Sequence, residues 1–217
     1  MAVLDIHTHH VPPVSSRAIQ SCLPESFTPR AGAFYSVGLH PWYLKKETLE
    51  RQWESLLAAI RHPQVVAIGE AGLDRLSDTP FHLQLQAFER QIKLCEEQNL
   101  PLVIHAVRTV DEMLRLKKEH RPRVPWIIHG FRGKKEQALQ YLRQGFYLSF
   151  GEKFQEEALR AMPADRLFLE TDESSLDIEQ IYNRAAAVLD VSSEELSGQV
   201  QRNIRAVFTR LGPCIAP

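Results

Sequence analysis

Short apolar runs alternate along the chain with segments of helical periodicity. Seven runs rich in β-branched and aromatic residues predict strands: Val3–His7, Ala33–Leu39, Val65–Glu70, Leu102–His105, Trp126–His129, Phe146–Phe150 and Leu167–Thr171. Four segments between or after them place apolar residues at helical spacing: Glu47–Arg61, Phe81–Cys95, Lys134–Gln144 and Leu196–Leu211. A capping box, Thr109-x-x-Glu112 ahead of Met113 and Leu114, predicts the start of a fifth helix. Strands that alternate with helices indicate a parallel sheet, and strands that are apolar through most of their length indicate burial on both faces.

A closed barrel of parallel strands and helices has eight strands, so one strand remains to be found. The eighth candidate is Ala18–Leu23, a weak run in a stretch rich in proline and serine, and no helix fits between His9 and this run. The pattern therefore predicts an α/β fold, a TIM-like (β/α) barrel shortened near strand 2 with the first helix missing or reduced. Such a barrel is either closed by a short second strand or partly open there. No Gly/Ser-rich linker divides the sequence, so we expect residues 1–217 to form a single domain.

Composition narrows the classes of function without identifying one. Apolar residues make up 44% of the chain and charged residues 24%, as in ordinary globular proteins. A formal net charge of −1 gives no global attraction to nucleic acid or to an anionic membrane, so any phosphate binding must be local. The apolar runs are too short to span a bilayer, and the N-terminus lacks signal-peptide features. Cys22, Cys95 and Cys214 form no CxxC pair, which argues against a disulfide scaffold or a thiolate zinc site. We therefore expect a cytoplasmic protein with no membrane partner.

Side chains that can bind metal stand where the predicted strands end. His7, Glu70, His105 and His129 each lie at or next to the C-terminal end of a strand, and Asp172 follows the last strand. In parallel β/α barrels the active site is built at this end of the strands. We therefore expect these five side chains to converge on one rim.

His7 and His9 are two residues apart on an extended chain, so their side chains point to the same side, as a chelating pair requires. A lone histidine at a strand end is more often a structural residue, and residues 170–173 alone would pass as the acidic start of a helix. Five strand ends that carry such residues at one rim favour a metal centre. Imidazole and carboxylate ligands without cysteine suit Zn, Mn, Fe, Ni or Mg. Two divalent ions sharing one carboxylate would explain the number of ligands, which are His7, His9, Glu70, His105, His129 and Asp172.

Three further residues near this rim have two interpretations each. His40 follows a strand, and we predict that it binds substrate, with a structural turn as the alternative. Arg132 lies just beyond His129 and could bind phosphate, or it could belong to an ordinary basic helix start. Asp74 could orient a ligand histidine, or it could cap a turn.

Ordered sequence motifs run along nearly the whole chain. They are Asp5–His9, Gly38–Pro41, Ala67–Asp74, Pro101–His105, Ile127–Gly133, Gly145–Gly151 and Leu169–Asp172. Together they resemble the TatD family of metal-dependent deoxyribonucleases, within the amidohydrolase-like barrels. The most specific of them is the Ile-Gly-Glu-x-Gly-Leu-Asp segment around Glu70.

The resemblance implies an assignment of the ligands by position. His7, His9 and Asp172 would hold one ion, His105 and His129 would hold the other, and Glu70 would bridge them. Two departures concern the substrate-binding walls. The segment between His9 and Gly38 is shorter than in typical members, and the chain reads Glu173–Ser175 where the family has a small residue and proline. The long loop that normally follows, with its Arg-Asn-x-Pro substrate element, is missing.

The favoured hypothesis is phosphodiester hydrolysis by a water activated between two ions, with Glu70 as the bridge and Asp172 as the proton acceptor. The substrate would be nucleic acid (DNA) or a small phosphodiester. A nearly neutral chain suits an end-acting or small substrate better than a long duplex, which needs many cationic contacts. Hydrolysis of another ester or amide, such as a lactone or an aminoacyl ester, is one alternative. A non-catalytic metal-binding protein is another, and no pattern indicates an oligomeric state.

Overall fold

The computed structural model describes residues 4–214; the predicted strand start at Val3 and the side chain of Cys214 lie outside the described residues. Eight parallel strands form one sheet in which the strands follow one another in chain order. All seven predicted strands are confirmed, and the weak eighth candidate is the second strand. The strands are β1 Asp5–Thr8, β2 Ala18–Cys22, β3 Phe34–Val37, β4 Val65–Asp74, β5 Leu102–Val107, β6 Trp126–Ile128, β7 Tyr147–Phe150 and β8 Leu167–Leu169.

Strands β8 and β1 meet at their C-terminal ends and bring the two edges of the sheet together. Thr8 and Asp172 form a parallel bridge. The Asp172 N–H donates to the His7 carbonyl at 2.9 Å, and the His9 N–H donates to the Asp172 carbonyl at 3.0 Å. β2 pairs with both β1 and β3, so the barrel is not open at its second strand. The predicted TIM-like barrel is therefore confirmed, and predicted metal ligands lie at its seam.

The first two connections between strands of the barrel, both inside the described range 4–214, are short and contain no α-helix. Within the described residues, only short 3-10 turns join β1, β2 and β3, at Ser15–Arg17 and Pro24–Ser26. The predicted loss of the first helix agrees with this arrangement. Along residues 4–214, no helix is both long and apolar enough to cross a membrane.

Helices follow the later strands and cover the outside of the barrel. They are α1 Leu49–Ala59, α2 Phe81–Gln98, α3 Val110–His120, α4 Lys135–Arg143, α5 Glu156–Arg160, α6 Ile178–Leu189 and α7 Ser193–Val207. The sequence pattern did not predict α5 or α6. α5 has only five residues, and the buried face of α6 includes Ala185 and Ala186, whose small side chains weaken an apolar period.

Strand β4 is longer than predicted and carries the centre of the candidate site. The pattern predicted an end at Glu70, whereas the strand continues to Asp74 and every one of its residues is buried. Its register against β5 shifts between Ile68 and Ala71. At Gly72, which has a φ of +149°, a Cβ atom would lie 2.0 Å from the His105 carbonyl oxygen. Glycine therefore allows the two strands to approach closely beside Glu70.

Candidate metal centre

The C-terminal rim of the barrel brings together the six predicted ligands. His7 lies in β1, Glu70 in β4 and His105 in β5, while His129 follows β6 and Asp172 follows β8. His9 follows β1 and is the most exposed of the six, at 38% for its side chain. The position of these residues agrees with the prediction that the strand ends converge.

The carboxylate of Glu70 faces histidines on both sides. Its Oε2 lies 3.4 Å from His7 Nε2 and 3.3 Å from His9 Nε2. Its Oε1 lies 2.7 Å from both His105 Nδ1 and His129 Nε2. Each oxygen of this buried side chain therefore contacts a different set of imidazoles, and Oε1 also has His40 Nε2 at 3.0 Å.

Asp172 extends the group on the Oε2 side. Its Oδ1 lies 3.9 Å from His7 Nε2 and 3.6 Å from His9 Nε2. These three side chains form one of the groups whose ligand atoms all lie within 4.8 Å of one another. The residue has a left-handed backbone with a φ of 56°, at the seam where β8 meets β1. The closure of the barrel thus fixes this carboxylate opposite the two histidines.

Buried polar atoms at the centre lack partners of the usual kind. Among the described residues, His7 Nδ1, His7 Nε2 and Glu70 Oε2 have no hydrogen-bond partner. Burial of polar atoms without partners is costly, and a cation bound between imidazole nitrogens and carboxylate oxygens would satisfy them. The donor set is one that divalent ions such as Zn, Mn or Fe accept. The residues therefore fit a divalent metal centre.

Two carboxylates lie behind the histidines on the Oε1 side. Asp74 Oδ2 is 3.0 Å from His105 Nε2, and Glu170 Oε1 is 3.4 Å from His129 Nδ1. A carboxylate on the far nitrogen fixes the tautomer and the ring orientation of a ligand histidine. Glu170 is completely buried, although in the sequence it resembled the acidic start of a helix. Its position directly after an apolar strand could have indicated that Glu170 belongs to the site.

Asp74 has both of the roles that the sequence left open. Its Oδ2 contacts His105 and accepts the Trp42 indole N–H at 2.6 Å. Its Oδ1 accepts the backbone N–H of Leu76 at 2.7 Å, which caps the turn after β4. The turn holds the carboxylate in place, and the carboxylate holds the imidazole.

The electrostatics of the rim favour positive charge. Burial disfavours the charged form of Glu70, but His129, His105 and His40 outweigh it and hold the pKa of this carboxyl well below its usual range. Burial also favours neutral His129, yet Glu70 and Glu170 raise the pKa of this imidazole well above its usual range. The carboxylates therefore favour a positive charge at this position, which a bound cation would supply in place of a proton.

Two buried glutamines of α2 position the strand ends that carry His40 and Asp74. Gln91 Oε1 accepts the Leu39 N–H at 2.7 Å, and its Nε2 donates to the Leu39 carbonyl at 3.2 Å. Gln84 binds both backbone groups of Asp74 in the same manner, at 2.7 and 3.0 Å. Sequence reasoning assigned no role to either glutamine, since polar residues on a helix ordinarily face solvent.

His40 lies inside the ligand group. Its Nε2 is 3.0 Å from Glu70 Oε1, and its Nδ1 accepts the backbone N–H of Trp42 at 3.1 Å. Burial lowers the pKa of this imidazole, although the contact with Glu70 opposes the shift. The lowered pKa favours the neutral ring. Because Nδ1 is an acceptor, the proton of the neutral ring is on Nε2. His40 thus directs an N–H donor, rather than a free lone pair, towards the centre.

A cavity of about 890 Å³ is lined by five of the six residues, all except the fully buried His7. Arg132 lines it, is 58% exposed, and its Nη2 lies 3.6 Å from Asp172 Oδ2. Trp42 and Tyr43 also line it, and each is about half exposed. The cavity therefore combines a cation, aromatic surfaces and the ligand group in one place.

Comparisons with known proteins agree with this arrangement. A family model described as "TatD related DNase" matches residues 14–209. The uncharacterized metal-dependent hydrolase YabD of Bacillus subtilis (strain 168) is 32% identical over 198 residues, which are 81% of this chain and 77% of YabD. The 3'-5' ssDNA/RNA exonuclease TatD of Klebsiella pneumoniae (strain 342) is 33% identical over 154 residues, which are 65% of this chain and 57% of that relative.

The fold also has a counterpart among solved structures. The crystal structure of YjjV, a TatD homolog from Escherichia coli K12, superposes with a TM-score of 0.81 at 23% identity. The superposition covers 95% of this chain and 98% of that structure. This likeness shows the barrel fold, while the family model and the relatives carry the family assignment. The chain belongs to the TatD-related DNase family and is a metal-dependent hydrolase.

Proposed function

We propose that the rim holds two divalent ions and that the enzyme hydrolyses phosphodiester bonds of single-stranded nucleic acid at or near an end. His7, His9 and Asp172 would hold one ion, His105 and His129 would hold the other, and Glu70 would bridge them. Zn, Mn, Mg, Fe and Ni are all compatible with this set of nitrogen and oxygen donors.

The division of the histidines between the two oxygens of Glu70 carries this proposal. A carboxylate that bridges two ions needs a separate group of ligands on each oxygen. His7 and His9 lie within 3.4 Å of Oε2, whereas His105 and His129 lie 2.7 Å from Oε1. A single ion would leave one of these pairs without a role.

When bound, two such ions lower the pKa of a water molecule towards neutrality and offset charge on the phosphoryl oxygens. Asp172 is 19% exposed at the cavity floor and would accept the proton of the attacking water. Arg132 would bind a non-bridging phosphate oxygen through its exposed guanidinium. His40 lines the cavity beside Glu70 and would contribute to substrate binding there.

The choice of nucleic acid rests on the walls of the cavity and on a relative. Two half-exposed aromatic rings beside a cation suit unpaired bases attached to phosphate. The relative from Klebsiella pneumoniae is named a 3'-5' ssDNA/RNA exonuclease. A net charge of −1 offers no long cationic track for a duplex. A short single strand that enters by one end fits these features.

Metal analysis combined with an assay tests the proposal. The purified protein is expected to bind two equivalents of Zn or Mn and to shorten a 3'-labelled single-stranded oligonucleotide in Mg or Mn buffer. A panel of p-nitrophenyl phosphodiesters and carboxyl esters runs in parallel. Two tightly bound ions with no phosphodiesterase activity would overturn the nuclease assignment, and turnover of the carboxyl esters alone would support the other class of ester.

Substitution of Asp172 tests the proton acceptor. Asp172→Asn is expected to lower kcat by about 10²- to 10⁴-fold, the range associated with general acid–base groups. Asp190→Asn is the matched control, because Asp190 has the same φ of 56° at the end of α6. Activity of Asp172→Asn equal to that of the control would exclude the proposed role.

A further inference from the structure

Trp42 is a rigid aromatic side chain beside the candidate centre. Its indole is 50% exposed, yet its N–H donates to Asp74 Oδ2 at 2.6 Å. Its backbone N–H donates to His40 Nδ1, and its ring lies edge-on to the His40 and His105 rings at 5.0 and 5.5 Å. An exposed indole ordinarily has rotamer freedom, whereas this one is held by the groups that orient the metal ligands.

The indole lies where two cavities adjoin. The large cavity of about 890 Å³ contains the ligand group. A second cavity of about 460 Å³ is lined by Trp42, Asp74, Leu76, Ser77, Asp78 and Val107. Trp42 and Val107 line both of them. A chain-like substrate with a phosphate at the centre could therefore extend past the indole into the second cavity.

The lining of the second cavity suits a base and not a phosphate. Leu76 is 61% exposed and, with the indole, offers apolar surface for a flat ring. Asp78 is an exposed carboxylate, and the lining contains no lysine or arginine. A carboxylate repels phosphate but accepts hydrogen bonds from the amino and imino groups of bases. Arg108 and Arg132, the cations near the centre, line only the large cavity.

We propose that this second cavity is a base subsite, in which Trp42 stacks on the unpaired nucleobase next to the scissile phosphate. This inference rests on the proposed nuclease function and specifies how the strand is held. Stacking of a base on an aromatic side chain contributes about 10- to 100-fold to binding, and it tolerates any sequence because every base has a flat face. The stacking would therefore select unpaired strands of any sequence.

The test compares a substrate that has bases with one that lacks them. The substrates are an eight-residue oligothymidylate and an octamer of abasic tetrahydrofuran residues with the same phosphodiester backbone. All residues within each octamer are identical, so the comparison is the same whichever end enters the site. The wild type is expected to cleave the thymidylate with a kcat/KM 10- to 100-fold higher. Trp42→Ala is expected to bring this ratio close to one, and Trp42→Phe is expected to keep most of it. Val191→Ala, an exposed apolar residue that lines neither cavity, is the control and should keep the wild-type ratio.

The ratio separates stacking from a merely structural role. Loss of the indole N–H from Asp74 would slow both substrates equally and leave the ratio unchanged, and Trp42→Phe reproduces that loss while it keeps a ring. An unchanged ratio in Trp42→Ala, or equal wild-type rates on both substrates, would overturn the inference.

A binding measurement without metal keeps the inference testable if no cleavage occurs. Trp126 is completely buried and Trp53 packs under Arg90, so Trp42 is the tryptophan most accessible to a ligand. In chelator-treated protein, the oligothymidylate is expected to quench tryptophan fluorescence, and the abasic octamer is not. Quenching without cleavage would support the subsite and remove the nuclease assignment. No quenching, or equal quenching by both octamers, would overturn the subsite.

Discussion

Replacement of Asp74 by asparagine is expected to weaken one metal site and to spare the other. Asp74 lies behind His105, whose Nδ1 faces Glu70 and whose Nε2 is 3.0 Å from Asp74 Oδ2. It makes no contact with His7 or His9 on the other side of Glu70. The substitution therefore separates the two halves of the proposed centre.

The size of the effect follows from the hydrogen bonds of the carboxylate. Oδ2 accepts from His105 and Trp42, and Oδ1 accepts from the Leu76 N–H. An asparagine amide must direct its NH₂ group at a donor in either orientation. Asp74 is only 2% exposed, so water relieves little of this conflict. Groups that orient a ligand histidine contribute 10- to 100-fold to metal affinity, and we expect the upper part of this range, about 2.5 kcal/mol.

Titration calorimetry of chelator-stripped protein with Zn or Mn measures both sites. The wild type is expected to show two binding events, and Asp74→Asn is expected to lose affinity in one of them. Asp165→Asn is the control, because Asp165 is 72% exposed and lies in the turn that precedes β8, at the other end of the barrel. Equal weakening of both sites, or two sites of wild-type affinity in a folded variant, would refute the assignment of His105 to one ion.

Three further predictions concern substrate binding, packing and pH. Arg132→Ala is expected to raise KM for an oligonucleotide about tenfold with a smaller change in kcat, because an exposed guanidinium contributes binding rather than chemistry; a loss confined to kcat would contradict this. Gly72→Ala is expected to lower the free energy of unfolding by about 3 kcal/mol in chemical denaturation, because its Cβ would lie 2.0 Å from the His105 carbonyl oxygen; Gly145→Ala, with φ +74° and no neighbouring atom within 4 Å, isolates the cost of the backbone conformation alone. Burial lowers the pKa of Lys117 to about 8, so folding must remove its proton between about pH 8 and 10.5 and this cost falls as the pH rises. The free energy of unfolding of the wild type is therefore expected to rise relative to Lys117→Met across this window, by roughly 2 kcal/mol, and parallel curves for the two proteins would contradict it.

Much of the fold could be predicted because the barrel repeats a local pattern. Most strands are short apolar runs, and α1, α2, α4 and α7 have a continuous apolar face, so periodicity located them. The prediction from sequence was least accurate for the elements whose apolar pattern was weak. β2 is only partly apolar, α5 has five residues, and α6 packs partly through alanines. The predicted strand ends were also approximate, since β4 continues past Glu70 to Asp74. The close contact of Gly72 with His105 in this extension cannot be read from an apolar pattern.

The sequence by itself determined which residues meet at the rim. Parallel strands of one barrel all end on the same side, so a histidine or carboxylate placed after each strand must converge with the others. His7, Glu70, His105 and His129 could therefore be assigned to one site without any knowledge of distances. Local order along the chain is sufficient for this kind of conclusion.

Only the tertiary structure decided how these residues face one another. The contact of each Glu70 oxygen with its own set of histidines depends on the register of strands that are far apart in the chain. Asp172 reaches its position through the seam between β1 and β8, and Asp74 meets His105 across two neighbouring strands. Side-chain direction is set by rotamers, close packing and strand register, which contacts between distant residues fix and local sequence patterns do not encode. The six candidate ligands could thus be named from the sequence, and the family resemblance implied how they would divide, but the distances on each side of Glu70 required the fold.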